Sequence, residues 1–178
     1  MSQAIVLVAA MAAAPERGLT EALGPVFAHW GEEHGHLLVY TDLADAPRVQ
    51  SLLPVATRHE LTPILSIAGA SPNAIPTHHY VVWTDAAAGW EEELADWYAE
   101  EHLPGLATVP GAVRARRYAQ QGDGPASYAC YDLTAPEVLG SPPWLKVRAT
   151  DWSSRVRPNF INTRRWMSRT LRTPEGLK

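Results

Sequence analysis

At 178 residues, 46% of them apolar and 19% charged, the chain is long enough for one generous domain or two small ones, and too apolar to stay disordered. A net charge of −4 with no nucleic-acid motif sets nucleic-acid binding aside, and no apolar run nears the roughly 20 residues that span a bilayer. The one cysteine, Cys130, lacks an intrachain disulfide partner, which fits a reducing compartment.

The run Ala4–Ala14 has the length of a signal-peptide core, yet no Lys or Arg precedes Arg17. Ile5–Met11, bounded by Pro15 and Gly18, therefore reads as a buried first strand of a cytoplasmic protein. Leu19, Leu23, Val26, Phe27 and Trp30 fall at helical spacing, which predicts a helix over Leu19–His34, kinked or delayed by Pro25 and ended by Gly35. His36–Asp42 is a predicted strand, Asp45–Leu53 a reduced helix, and Leu61–Ala68 a strand whose Pro63 marks an edge.

Ser71–Pro76 is a linker, so the chain divides into a degenerate repeat over 1–70, a connection over 71–77 and a second repeat over 78–172. In that second repeat Tyr80–Thr84 is a strand. Trp90, Leu94, Trp97, Tyr98 and Glu101 place one face of a helix over Ala88–His102, with Leu103-Pro104 as its stop. Ala112–Ala119 and Ser127–Leu133 form a hairpin around Gln121–Pro125. A short helix over Ala135–Arg148, broken at Pro142-Pro143, a turn and a strand over Ile161–Thr170 follow, with a loose tail from Thr173. The order β-α-β-β-α-β is a ferredoxin-like split βαβ, and the echo of Trp30…His34 in Trp97…His102 suggests that each ends the first helix of a duplicated unit.

His102 is the first chemical candidate, because it extends the buried Leu94–Tyr98 stripe to a helix end where an imidazole meets a cleft. Glu101 and Asp96 either orient it or compete with it, and the same position suits a purely structural histidine placed against the helix dipole. Arg114, Arg116 and Tyr118 share one strand face and Arg117 takes the other. Tyr128, Cys130 and Asp132 alternate with Ala129 and Tyr131 on the facing strand, so this face is either a surface ladder of Arg with Asp and Glu or one that carries Arg and Tyr toward an interior suited to a carboxylate or phenolate. Residues 1–111 hold three Arg against fourteen acids, a balance of −11, while 112–178 hold twelve Lys and Arg against five acids, a balance of +7. The basic half thus suits an anion, or simply pairs with the acidic half. His34/His36 and His78/His79 match no zinc spacing, no second cysteine exists, and nucleophile-elbow and phosphate-loop motifs are absent, so no metal is expected.

Trp97-Tyr98…Glu101-His102-Leu103-Pro104, then Val109-Pro110-Gly111, then Arg116-Arg117-Tyr118 resembles the dimeric α+β barrel superfamily, particularly its EthD-like branch. The resemblance implies two four-stranded sheets packed face to face, each with a ligand cleft beneath its helices, as a homodimer or a pseudo-dimer within one chain. It further implies a cofactor-independent enzyme of small aromatic or polyketide-like metabolism, performing cyclisation, isomerisation or decarboxylation. In that reading His102 is the acid/base and Tyr98 its catalytic neighbour, while Arg114, Arg116, Tyr118, Trp97 and Tyr128 bind an aromatic or anionic substrate. Haem binding, with His102, His78 or His79 as axial ligand, and a non-catalytic ligand-binding or interaction protein are the alternatives.

Overall fold

The computed structural model describes residues 4–174 and 176–177, with side chains for 4–174. Its strands are β1 (Ala4–Ala10), β2 (Phe27–Gly31), β3 (His36–Asp42), β4 (Thr57–Ala68), β5 (His78–Ala86), β6 (Ala112–Gln121), β7 (Ser127–Leu133), β8 (Phe160–Thr173) and a two-residue β9 (Gly176–Leu177). The helices are α1 (Arg17–Ala22), α2 (Ala46–Leu52), α3 (Glu91–Trp97), α4 (Leu103–Ala107), α5 (Pro142–Arg148) and α6 (Asp151–Val156).

The strands run in the order β2-β3-β1-β4-β6-β7-β5-β8, every pairing antiparallel, and β2 pairs again with β8. One sheet therefore closes on itself as an eight-stranded barrel. The expected pair of separate sheets facing one another is corrected, because β4–β6 and β2–β8 join the edges of the two four-stranded sets. Each set has the same internal order, its second, third, first and fourth strands. Closure pairs most strand edges and leaves β4 beyond Leu61 bonded on one side only.

Side chains alternate between the barrel lumen and an outer layer. Val6, Leu38, Leu61, Val81, Trp83, Tyr118, Tyr128 and Cys130 fill the lumen. Outside, Ile5, Leu7, Leu37 and Val39 pack under α1 and α2, while Ala115, Ala129, Tyr131 and Leu133 pack under the helices of the second half.

Four predicted elements change. The Leu19–His34 helix lasts only to Ala22, because Gly24 takes φ +76° and Pro25 follows it; Phe27–Gly31 is then a strand with Ala28 and Trp30 outward. The Trp30…His34 echo accordingly falls on a strand end and a turn. Leu103-Pro104 does not stop its helix: Tyr98–His102 form a π-turn in which the Leu103 N–H reaches the Tyr98 carbonyl, and Pro104 becomes the second residue of a renewed turn, α4. The expected turn after Asp151 is α6, and Gly176–Leu177 pairs back on the end of β8 within the tail expected to be loose. Pro63 lies at a bulge of β4, which pairs with β1 over Thr57–Leu61 and with β6 over Glu60–Ala68. No helix of the described residues is long and apolar enough to cross a membrane.

Candidate functional sites on two faces of one sheet

The predicted site residues divide between the two faces of the β6–β7–β5 sheet. His102, Trp97 and Tyr98 lie outside it under the helices, whereas Arg116, Tyr118 and Tyr128 line the lumen, and Arg114 is exposed on β6. A strand's alternation makes this division unavoidable, since Arg116 and Arg117 are consecutive. Arg117 turns to the helix side, donates to the Ala95 carbonyl at 3.0 Å and covers the Tyr98 ring at 4.8 Å.

On the helix side, the π-turn delivers His102 into the interior rather than to a cleft mouth. It is 7% exposed, its ring stacked on Trp97 at 4.0 Å. Glu101 does not orient it, because that carboxylate accepts from the Thr150 hydroxyl at 2.7 Å. His102 borders a cavity whose enclosed part has about 30 Å³, room for a water or two. Four buried polar atoms on its lining have no hydrogen-bond partner: His102 Nδ1, Trp97 Nε1, Tyr131 Oη and Trp144 Nε1. Arg148, Arg157 and Arg165 edge the same cavity, and no acid lines it among the described residues. Burial, followed by the charges of Arg157 and Arg148, lowers the His102 pKa to about 3, which favours a neutral imidazole at this cavity.

Inside the barrel a continuous polar chain forms. Arg116 donates to Asp132 Oδ2 at 2.5 Å, Asp132 Oδ1 meets His79 Nδ1 at 2.7 Å, and His79 Nε2 lies 2.8 Å from the Tyr40 hydroxyl, which in turn bonds that of Tyr128. His29 stacks on His79 at 4.1 Å and bonds Thr170 at 3.2 Å. Burial opposes charge on His79, but the hydrogen bond to Asp132, the Cys130 sulfur and the Asp132 charge outweigh it and raise the pKa to about 9. Asp132 itself is held below the usual carboxylate range: burial pushes it up, and Arg116 and His79 overcome that. His29 is lowered by burial and by the neighbouring His79.

His29, His79 and Asp132 bring three metal-capable ligand atoms within 4.8 Å of one another. Asp132 is committed to two cations and His79 through both nitrogens, while His29 Nε2 alone is unpaired. The two rings lie 12° from parallel, so their lone pairs run side by side instead of converging. Arg116 adds positive charge, and the set reads as a hydrogen-bonded network. Sequence reasoning placed Asp132 on the inward face but missed Tyr40 and His29 and named His79 only as a haem ligand; their meeting depends on β2, β3 and β5 closing around one lumen.

No family model matches the sequence, and no curated protein matches it. Solved structures do resemble it. A candidate monooxygenase of Fusobacterium nucleatum superposes with a TM-score of 0.71 at 9% identity, covering 99% of this chain and 96% of that one. An anthrone oxidase-like protein gives 0.58 at 13% identity, covering 94% and 90%. A heme-degrading enzyme of Listeria monocytogenes gives 0.57 at 9% identity, covering 94% and 99%. The chain shares the fold of these structures, an eight-stranded antiparallel barrel with helices packed outside it. At these identities the likeness extends to the barrel and its helices, while the polar residues of either face must be argued from this chain alone.

Haem, which the Listeria enzyme degrades, does not fit the helix-side cavity. His102 Nδ1 is unpaired, but the enclosed space beside it is far below the roughly 300–1,000 Å³ that ligands of cofactor size occupy. His79 has both nitrogens engaged, and His78 Nδ1 is paired with the Thr77 hydroxyl at 2.8 Å.

Proposed function

We propose that the chain is a cofactor-independent enzyme of small aromatic or polyketide-like metabolism that moves protons at the helix-side cavity, in a cyclisation, isomerisation or decarboxylation. The observation that supports this reading is that four residues lining one void, His102, Trp97, Tyr131 and Trp144, each carry a buried polar atom with no protein partner, and that three arginines edge it. An unmet buried group costs about 1–3 kcal/mol, so these groups favour a polar occupant, a water or a ligand oxygen. All three reactions pass through an enolate, phenolate or carboxylate, and Arg148, Arg157 and Arg165 supply the cations such a charge requires.

His102 is the acid/base of the proposal. Burial depresses its pKa first, and the charges of Arg157 and Arg148 add to that; a bound anion offsets the second cause and makes the imidazole a stronger base, while burial keeps its pKa below the ordinary value. Tyr131 and the two indole N–H groups donate to the charged oxygen; Tyr98 and Trp97 form the wall. Admission of a substrate ring requires the arginine side chains at the mouth to swing outward on their flexible stems.

The test is solvent deuterium incorporation, followed by NMR, across a panel of aromatic and β-keto acids. Exchange should be catalysed by the wild type and fall about 100-fold in His102→Gln. Binding without exchange by any member would leave the non-catalytic reading standing. A Soret band on adding haemin would revive the haem reading, and none is expected.

Two structural proposals accompany this one. The shared strand order of the two halves supports duplication of a ferredoxin-like unit. Homodimerisation is also proposed, supported by the exposed Ile64 and Ile161 on β4 and β8. A mass of 19.5 kDa by light scattering at micromolar concentration would exclude it.

A further inference from the structure

On the opposite face of the same sheet, Arg116, Tyr118 and Tyr40 open onto a cleft of about 550 Å³ at the barrel end where β1 and β2 begin. A smaller hollow of about 250 Å³ adjoins it through Ala4, Arg116 and Tyr118. Arg116 keeps 17% of its side-chain surface accessible at this floor, and its Nε is buried without a partner. Phe27 lies 5.6 Å from the guanidinium. The Asp132 carboxylate behind Arg116 is shared with His79, so one buried anion serves two bases. His79 is raised to about 9, chiefly because the bond to Asp132 offsets burial, so this floor carries a net positive charge at neutral pH. Tyr118 is raised to about 12, by burial first, and stays a neutral hydroxyl able to donate. At the rim Arg48 is already neutralised by Asp45 at 2.6 Å, which leaves Arg116 as the cation that a ligand meets.

We propose that this cleft is a second ligand site, separate from the helix-side cavity, that takes a planar aromatic monoanion. Its carboxylate or phenolate oxygen sits on the Arg116 guanidinium and the Tyr118 hydroxyl, and its ring lies against Phe27 and Tyr40. The volume is within the range of small-molecule sites, and the wall is aromatic with a few convergent polar groups. The acidic rim residue Asp42 disfavours a second negative charge on the ligand.

Calorimetric titration of the full chain with 4-hydroxybenzoate and with its neutral amide, 4-hydroxybenzamide, tests this. The acid should bind at least about tenfold more tightly than the amide, and Tyr118→Phe and Arg116→Lys should each weaken it by about tenfold. His102→Gln should leave its affinity unchanged. The proposal falls if the acid shows no binding at millimolar concentration, if the amide binds as well, or if neither cleft variant alters affinity. Should Arg116→Lys misfold by circular dichroism, Tyr118→Phe alone decides. Binding lost in His102→Gln but kept in Tyr118→Phe would move the acid to the helix-side cavity, overturning this site while favouring the function proposed above.

Discussion

His102 and His79 depart from the ordinary histidine pKa in opposite directions, and each departure sets a limb of stability against pH. Folded His102 titrates at about 3, and His36, lowered by burial and then by His34, at about 4. The unfolded chain, with histidines near 6.5, protonates first as pH falls, so the stability these groups contribute is complete above about 6.5 and is lost toward their folded values. His79 works the other way. Its contribution is complete below about 6.5 and lost as pH rises toward about 9. Urea unfolding from pH 4 to 9 should show a midpoint that falls on both sides of neutrality, each group adding up to about 1.4 kcal/mol per pH unit. Asp132→Asn should flatten the alkaline limb, since the carboxylate is what holds the His79 proton. At this scale the inward direction of Arg116, Tyr118, Tyr128 and Asp132 was legible from alternation. Their separation from His102 was not, because it depends on which face the helices cover.

Among the elements, the Tyr98–His102 π-turn matters most for the helix-side cavity. A straight α-helix ending at Leu103-Pro104 would set His102 at a frayed terminus; the extra residue in the turn lets α4 continue and keeps the imidazole under it. Periodicity indicated an amphipathic helix and could not register a one-residue insertion. At the start of β6, Gly111 takes φ +91°, and an added Cβ there would stand 2.5 Å from Val138 Cγ2. Gly111→Ala should therefore cost about 1–3 kcal/mol in urea unfolding, through strain and through displacement of Val138 from the layer under the helices.

For the whole molecule, the lumen is a single core to which both halves contribute, Val6, Leu38 and Leu61 from one and Val81, Trp83 and Tyr128 from the other. Neither half can unfold without exposing the partner's share, so calorimetry should show one cooperative transition. Two distinct transitions would mean that the halves are stable alone. The closing seam is the weak place: β2 and β8 share three registered pairs with a bulge between Ala28 and His29, whereas β5 and β7 share seven. Native-state hydrogen exchange should accordingly be faster at Ala28–Trp30 than at Val81–Trp83.

Residue type and spacing were enough to determine the β-α-β-β-α-β order of the second half, the hairpin around Gln121–Pro125, the arginine-bearing strand and the buried face of the helix leading to His102. These are local properties, written in periods of two and 3.6 residues. Tertiary structure alone decided that the strands form one closed barrel, that β2 replaces half of a predicted helix, and that the polar residues fall into two sites on opposite faces. Each of these depends on partners far apart in sequence: β8 supplies the hydrogen bonds that β2 needs, and Asp132 meets His79 only when β5 and β7 pair. Long-range pairing chooses among conformations that are locally close in energy, and no local pattern records that choice.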